Sequence, residues 1–115
     1  MKRNLVGLFA TIFVVSVALL LGCQSKEVTS AKVYIQQDDW PKAIEQLEKA
    51  VKLYPEDAEA YYLLGEGYAW KGEWDKMNEV FKKSLAIASK FEPQINNTRE
   101  RHWVNSFNAG VRVTF

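Results

Sequence analysis

Slid against itself, the chain finds one register that works, an offset of 34 residues. Tyr34 then falls on Tyr68, Trp40 on Trp74, Lys42 on Lys76, Glu45 on Glu79 and Lys49 on Lys83. Conservative pairs fill the gaps: Ala31 with Gly65, Asp39 with Glu73, Leu47 with Phe81, Val51 with Leu85, Leu53 with Ile87. A period of this length marks stacked copies of one supersecondary unit, none of which can bury its apolar side alone.

Each unit reads as two helices. Ile44, Leu47 and Val51 form an i, i+3, i+7 stripe, with Ala43 and Ala50 beside it. Asp39 is the expected N-cap, and Pro41 lies in the first turn, where a missing N–H costs nothing. Pro55 stops that helix and Asp57 caps the next, which is expected to run from Ala58 to about Trp70 with Tyr61, Leu64 and Tyr68 on one face. Gly72 suits the left-handed end of a helix. A further helix from about Glu73 to Ser89 carries Met77, Phe81, Leu85 and Ala88. No segment alternates with period two for long enough to be a strand.

These residues resemble the tetratricopeptide-repeat signature. Tyr61, Leu64, Gly65, Tyr68, Gly72, Trp74, Met77, Phe81 and Ser84 follow it, as do Ala31, Tyr34, Trp40, Ala43, Leu47, Ala50 and Pro55. The resemblance implies an all-α fold: two antiparallel helix hairpins over residues 28–89 and a C-terminal helix over 90–115, stacked as a short right-handed solenoid. Met77 and Ser84 stand where the signature has alanines, and Ser89 where it has proline. A compliant Met there predicts slightly wider helix spacing.

The period fails after Ser89, where Tyr68 would map to His102 and Trp74 to Asn108. Pro93 can open a new helix with Trp103, Val104, Phe107 and Val111 on one apolar face. Two readings stand. The helix caps the second repeat, or it is the first helix of a third repeat with Ala109 or Gly110 at the close contact. Val111, Val113 and Phe115 cannot all face one small core, so self-association through this helix is expected.

The first 22 residues read as an address. Lys2 and Arg3 precede an uncharged apolar stretch from Leu5 to Leu21, and Leu20-Leu21-Gly22-Cys23 resembles the bacterial lipobox. The resemblance implies cleavage after Gly22, acylation of Cys23 and a short lipidated tether over 23–27. Several acyl chains, at roughly 0.8 kcal/mol per buried methylene, would hold the chain on a membrane. An uncleaved membrane-spanning helix is the alternative, since the stretch approaches the ~20 residues that span a bilayer. Gln24 after the Cys, rather than Asp, points to the periplasmic face of the outer membrane.

Charge and composition narrow the function. Fifteen basic against fourteen acidic residues give no basic excess for nucleic acid. One Cys and one His supply no zinc cluster and no disulfide. No metal or cofactor is expected. Asp38-Asp39 and Glu56-Asp57 sit at turns, where capping explains them, and Gly65-Glu66-Gly67 lacks the strand that a phosphate loop follows. Trp40 and Trp74 recur with the repeat and read as core. What remains is a non-catalytic scaffold or assembly factor of the bacterial cell envelope, gripping a protein or peptide. In arrays of this resemblance the first helix of each unit lines the groove, which selects Lys32, Gln36, Tyr62, Glu66 and Trp70. A cell-wall enzyme and a truncated copy of a longer repeat lipoprotein are the alternatives.

Overall fold

A computed structural model describes residues 24–114, with side chains as far as residue 108. The signal stretch, Cys23 and Phe115 lie outside the described residues. Those described form five helices: α1 (Lys26–Gln36), α2 (Trp40–Leu53), α3 (Ala58–Lys71), α4 (Trp74–Ile87) and α5 (Glu92–Thr114). Each of the first three packs on the next, and α5 lies against α3. This is the short all-α solenoid of helix hairpins that the repeat implies.

The helix ends follow from the residues that mark them. Ser25 Oγ accepts from the Val28 N–H at 3.2 Å, so α1 starts at Lys26, inside the expected tether. Asp39 and Asp57 accept from Lys42 and Ala60, at 3.4 and 3.2 Å, and Pro41 sits in the first turn of α2. Both turns between paired helices bend through a left-handed residue at the same repeat position: Asp38 at φ 59° and Gly72 at φ 76°. Asp and Gly are the residue types that take this conformation most cheaply. α4 stops at Ile87, earlier than expected, and Ala88 is extended rather than part of the helical stripe.

The core gathers where the hairpins meet. Ala31, Ile44, Leu47, Tyr61, Leu64, Met77, Phe81 and Ile95 form one buried cluster. Gly65 is needed there because a Cβ would run into the buried Phe81 ring. Ser84 is fully buried, and its hydroxyl donates to the Ala58 carbonyl at 2.8 Å. The departure from alanine thus tethers α4 to the first turn of α3, where carbonyls are otherwise engaged only along the helix. Tyr68 also ties layers together, donating to Glu48 on α2 at 3.1 Å.

The tail corrects the sequence reading. The expected apolar face of α5 does not seal the second repeat: Trp103 is 64% exposed, Phe107 57%, and Val104 is exposed too. α5 packs instead through buried Ile95 and Thr98 and half-buried Arg99 and His102. Each lies one repeat length beyond a core residue of α3, namely Tyr61, Leu64, Gly65 and Tyr68. The period therefore persists in space after its residue types have changed. α5 stands in the register of a third repeat's first helix, with Arg99, not Ala109 or Gly110, at the close-contact position. It then overshoots. Ser106, at the repeat position of Asp38 and Gly72, is helical, and the chain continues straight through the place of the turn.

Candidate functional site

The five groove residues chosen from sequence fall into three settings. Lys32 on α1 pairs with Glu59 on α3 at 2.5 Å, and Gln24 donates to the other Glu59 oxygen at 2.7 Å. Gln36 lies exposed in the last turn of α1. Lys32 and Gln24 thus bridge the first helices of the two units through Glu59.

Tyr62 is not open groove surface. Phe91, from the link between α4 and α5, lies flat on its ring at 4.8 Å and 4°, and Phe81 stacks at 6.5 Å. Burial first, then the Glu66 charge, pushes the Tyr62 phenol above its ordinary value, while Arg101 opposes the shift. Its placement is structural: it seats the start of α5.

Glu66 and Trp70 belong to a cleft between α3 and α5. Glu66 accepts from Thr98 Oγ1 at 2.5 Å, and Arg101 donates to that same oxygen at 3.2 Å. Trp70 stacks on Trp40 at 6.5 Å and 22°, yet remains 54% exposed. Trp74 stacks on His102 at 3.6 Å and 18°. The cleft holds about 270 Å³, and Ala69 and Asn105 complete its wall.

Trp40 and Trp74 were expected in the core; Trp40 is half-buried and packs against it, whereas Trp74 is exposed. They are the first residues of α2 and α4, so they stand at the turn end of each hairpin. They recur because each unit repeats this edge. Trp70, chosen for the groove, stacks on Trp40 and lines the cleft beside α5. Thr98, Arg101, His102 and Asn105 were missed as site residues. Carrying the repeat one step further, from Leu64 to Thr98 and from Tyr68 to His102, would have placed them.

A second hollow, of about 440 Å³, lies between α2, α3 and α4 on the other side. Its polar groups satisfy one another: Lys76 sits over Tyr68, Lys83 sits over Tyr61 and pairs with Glu79, and Glu48 holds Tyr68. Burial first, then the bond to Glu48, pushes the Tyr68 phenol up to about 12. The cleft, by contrast, keeps aromatic faces and a guanidinium open to a ligand.

Residues 31–75 match a protein-family model described as TPR repeat. The match begins inside α1 and ends at the start of α4, so it covers α2 and α3 whole and the second half of α1, and stops before the cleft's α5 wall. No curated protein matches the chain. Repeats of this type are as a rule non-catalytic and bind other proteins.

Proposed function

We propose that the chain is a membrane-tethered scaffold or assembly factor of the bacterial cell envelope, binding an envelope protein or peptide along α3 and α5. The observation that carries this reading is Trp70, half exposed above a concave cleft with Arg101 beside it. Trp and Arg are the residue types that dominate binding energy at interfaces. The match to TPR repeats supports the same role. A photocrosslinking residue at position 70 should capture a discrete envelope partner, and the same residue at position 83, on the opposite hollow, should not. Equal capture at both positions would remove the cleft from the reading.

The tether rests on Leu20-Leu21-Gly22-Cys23. Acylation at Cys23 would hold the protein on the periplasmic face of the outer membrane. Cys23→Ala should abolish palmitate labelling and leave the precursor uncleaved; continued labelling refutes the lipobox.

A second copy of the chain is also a partner in this reading, favoured by the outer face of α5. Trp103 and Phe107 stack on each other at 5.5 Å with nothing described beyond them. Large apolar side chains exposed together on one face mark an interaction surface. Sedimentation should show self-association that Trp103→Ser together with Phe107→Ser reduces. A monomer at high concentration, unaffected by the pair, excludes it.

A further inference from the structure

The cleft between α3 and α5 is unusual in what it offers a ligand. Three indoles line it, and an indole presents a flat apolar face and one N–H, never an acceptor. None of the three joins the side-chain hydrogen bonds that link the helices among the described residues. Arg101 adds donors only. Its guanidinium spends one contact on Thr98 and has no carboxylate within ion-pair distance among the described residues. Asn105 brings an amide with both kinds of group. The one carboxylate, Glu66, already accepts from Thr98.

The cleft thus offers more donors than acceptors, with Asn105, His102 and the second Glu66 oxygen as its remaining acceptors. A sugar fits badly, because each hydroxyl must give a proton as well as receive one. An ordinary extended peptide leaves its N–H groups facing a wall of donors. A proline-rich segment has carbonyls and no N–H at proline, and it is already fixed in the polyproline II conformation with its backbone groups turned outward. Its pyrrolidine rings are flat enough to stack on indole faces, which is how aromatic-lined grooves elsewhere take such segments.

We infer that the cleft binds a proline-rich segment of the partner in the polyproline II conformation. Rings pack on Trp70 and Trp74, and carbonyls accept from the indoles, Arg101 and Asn105. This rests on the reading of α3 and α5 as the binding face and names the chemistry of what binds there.

The test titrates the full chain with a capped decaproline peptide, a glycine–serine peptide of equal length, and a chitin oligosaccharide. Indole N–H chemical shifts provide the readout. Decaproline should shift Trp40, Trp70 and Trp74 saturably and leave Trp103 alone, while the other two probes shift none of them. Trp70→Ala and Trp74→Ala should each weaken binding roughly tenfold or more, and Arg101→Ala by a few-fold. Far-UV circular dichroism checks that each variant is folded. Trp103→Ala, outside the cleft, should bind as the parent does. Equal shifts with the glycine–serine peptide or the oligosaccharide overturn the inference, as does the absence of any shift with decaproline. In that event crosslinking from position 70 still decides the binding face by itself, so the two readings fail separately.

Discussion

The hairpin of α3 and α4 and the helix α5 share one repeat register and differ in almost everything else. In the hairpin the close-contact position is Gly65, backed against Phe81, and the turn position is Gly72 in the left-handed region. In α5 the same two positions are Arg99 and Ser106. Arg99 cannot let the helices approach as Gly65 does. Its guanidinium reaches instead over the Phe81 ring at 5.7 Å and donates to Asn78 at 3.3 Å. The comparison teaches that position in an array and residue type are separable. The stacking direction places α5, while its own residues decide how closely it sits and where it stops. The cleft is the space left by that looser seat.

Identical residues in the two regions give the largest test. Phe81→Ala should cost about 3–5 kcal/mol and unfold the repeats cooperatively in urea, since the ring is fully buried. Phe107→Ala should stay within about 0.5 kcal/mol of the parent. Similar losses at both would mean that the outer face of α5 is packed.

Among the described residues of α5, Ile95 is the one fully buried apolar side chain. Ile95→Ala should cost about 2–4 kcal/mol and release α5 first. Hydrogen exchange should then rise in α5 while α1 to α4 stay protected. Uniform loss of protection would make α5 part of a single cooperative unit.

The close-contact position sharpens the contrast further. Gly65→Ala should destabilise by roughly 1–3 kcal/mol, because the buried Phe81 ring has nowhere to go. Arg99→Ala, one repeat on, should cost less, removing a half-exposed contact without overpacking. The reverse order would show that Arg99 is the tighter joint.

The smallest effect is confined to alkaline pH. Tyr68 is held protonated in the fold, its phenol at about 12 against about 10 when unfolded. Its contribution is complete below pH ~10 and is lost as pH rises toward 12, because the unfolded chain ionises first. Tyr68→Phe should flatten this part of the stability profile. An unchanged alkaline slope would assign the effect elsewhere.

The hairpins were legible because their signals are local and repeated. Asp39, Asp57, Pro41 and Gly72 fix helix ends through their own backbone and side-chain chemistry, and a stripe of Ile44, Leu47 and Val51 has only one buried side to choose. The tail was harder for a physical reason. Trp103, Val104 and Phe107 form the most apolar face of α5, and hydrophobicity alone would bury them. Register wins because Phe91 and Ile95 seat the start of α5 on Tyr62 and the core, which turns the polar Thr98 and His102 inward. The cleft was only half visible. Trp70 and Glu66 were found on the groove helix, but Trp40 and Trp74 recur as faithfully as core residues do, and periodicity does not distinguish a repeated edge from a repeated interior.

The straight passage of α5 through Ser106 has a geometric consequence. From His102, the last residue seated on the array, to Thr114 the helix advances about 18 Å at 1.5 Å per residue. It therefore stands as an arm whose root is the cleft wall and whose shaft displays Trp103 and Phe107. Angle and reach along this arm are coupled at about 100° per residue. One residue inserted after His102 would swing the aromatic pair by more than a quarter turn and carry Asn105 out of the cleft, leaving its other lining residues in place. Four inserted residues would bring the pair back to within about 40° of its bearing, about 6 Å further out. Orientation of the outer face can thus change in phase steps that cost the site at its base a single residue.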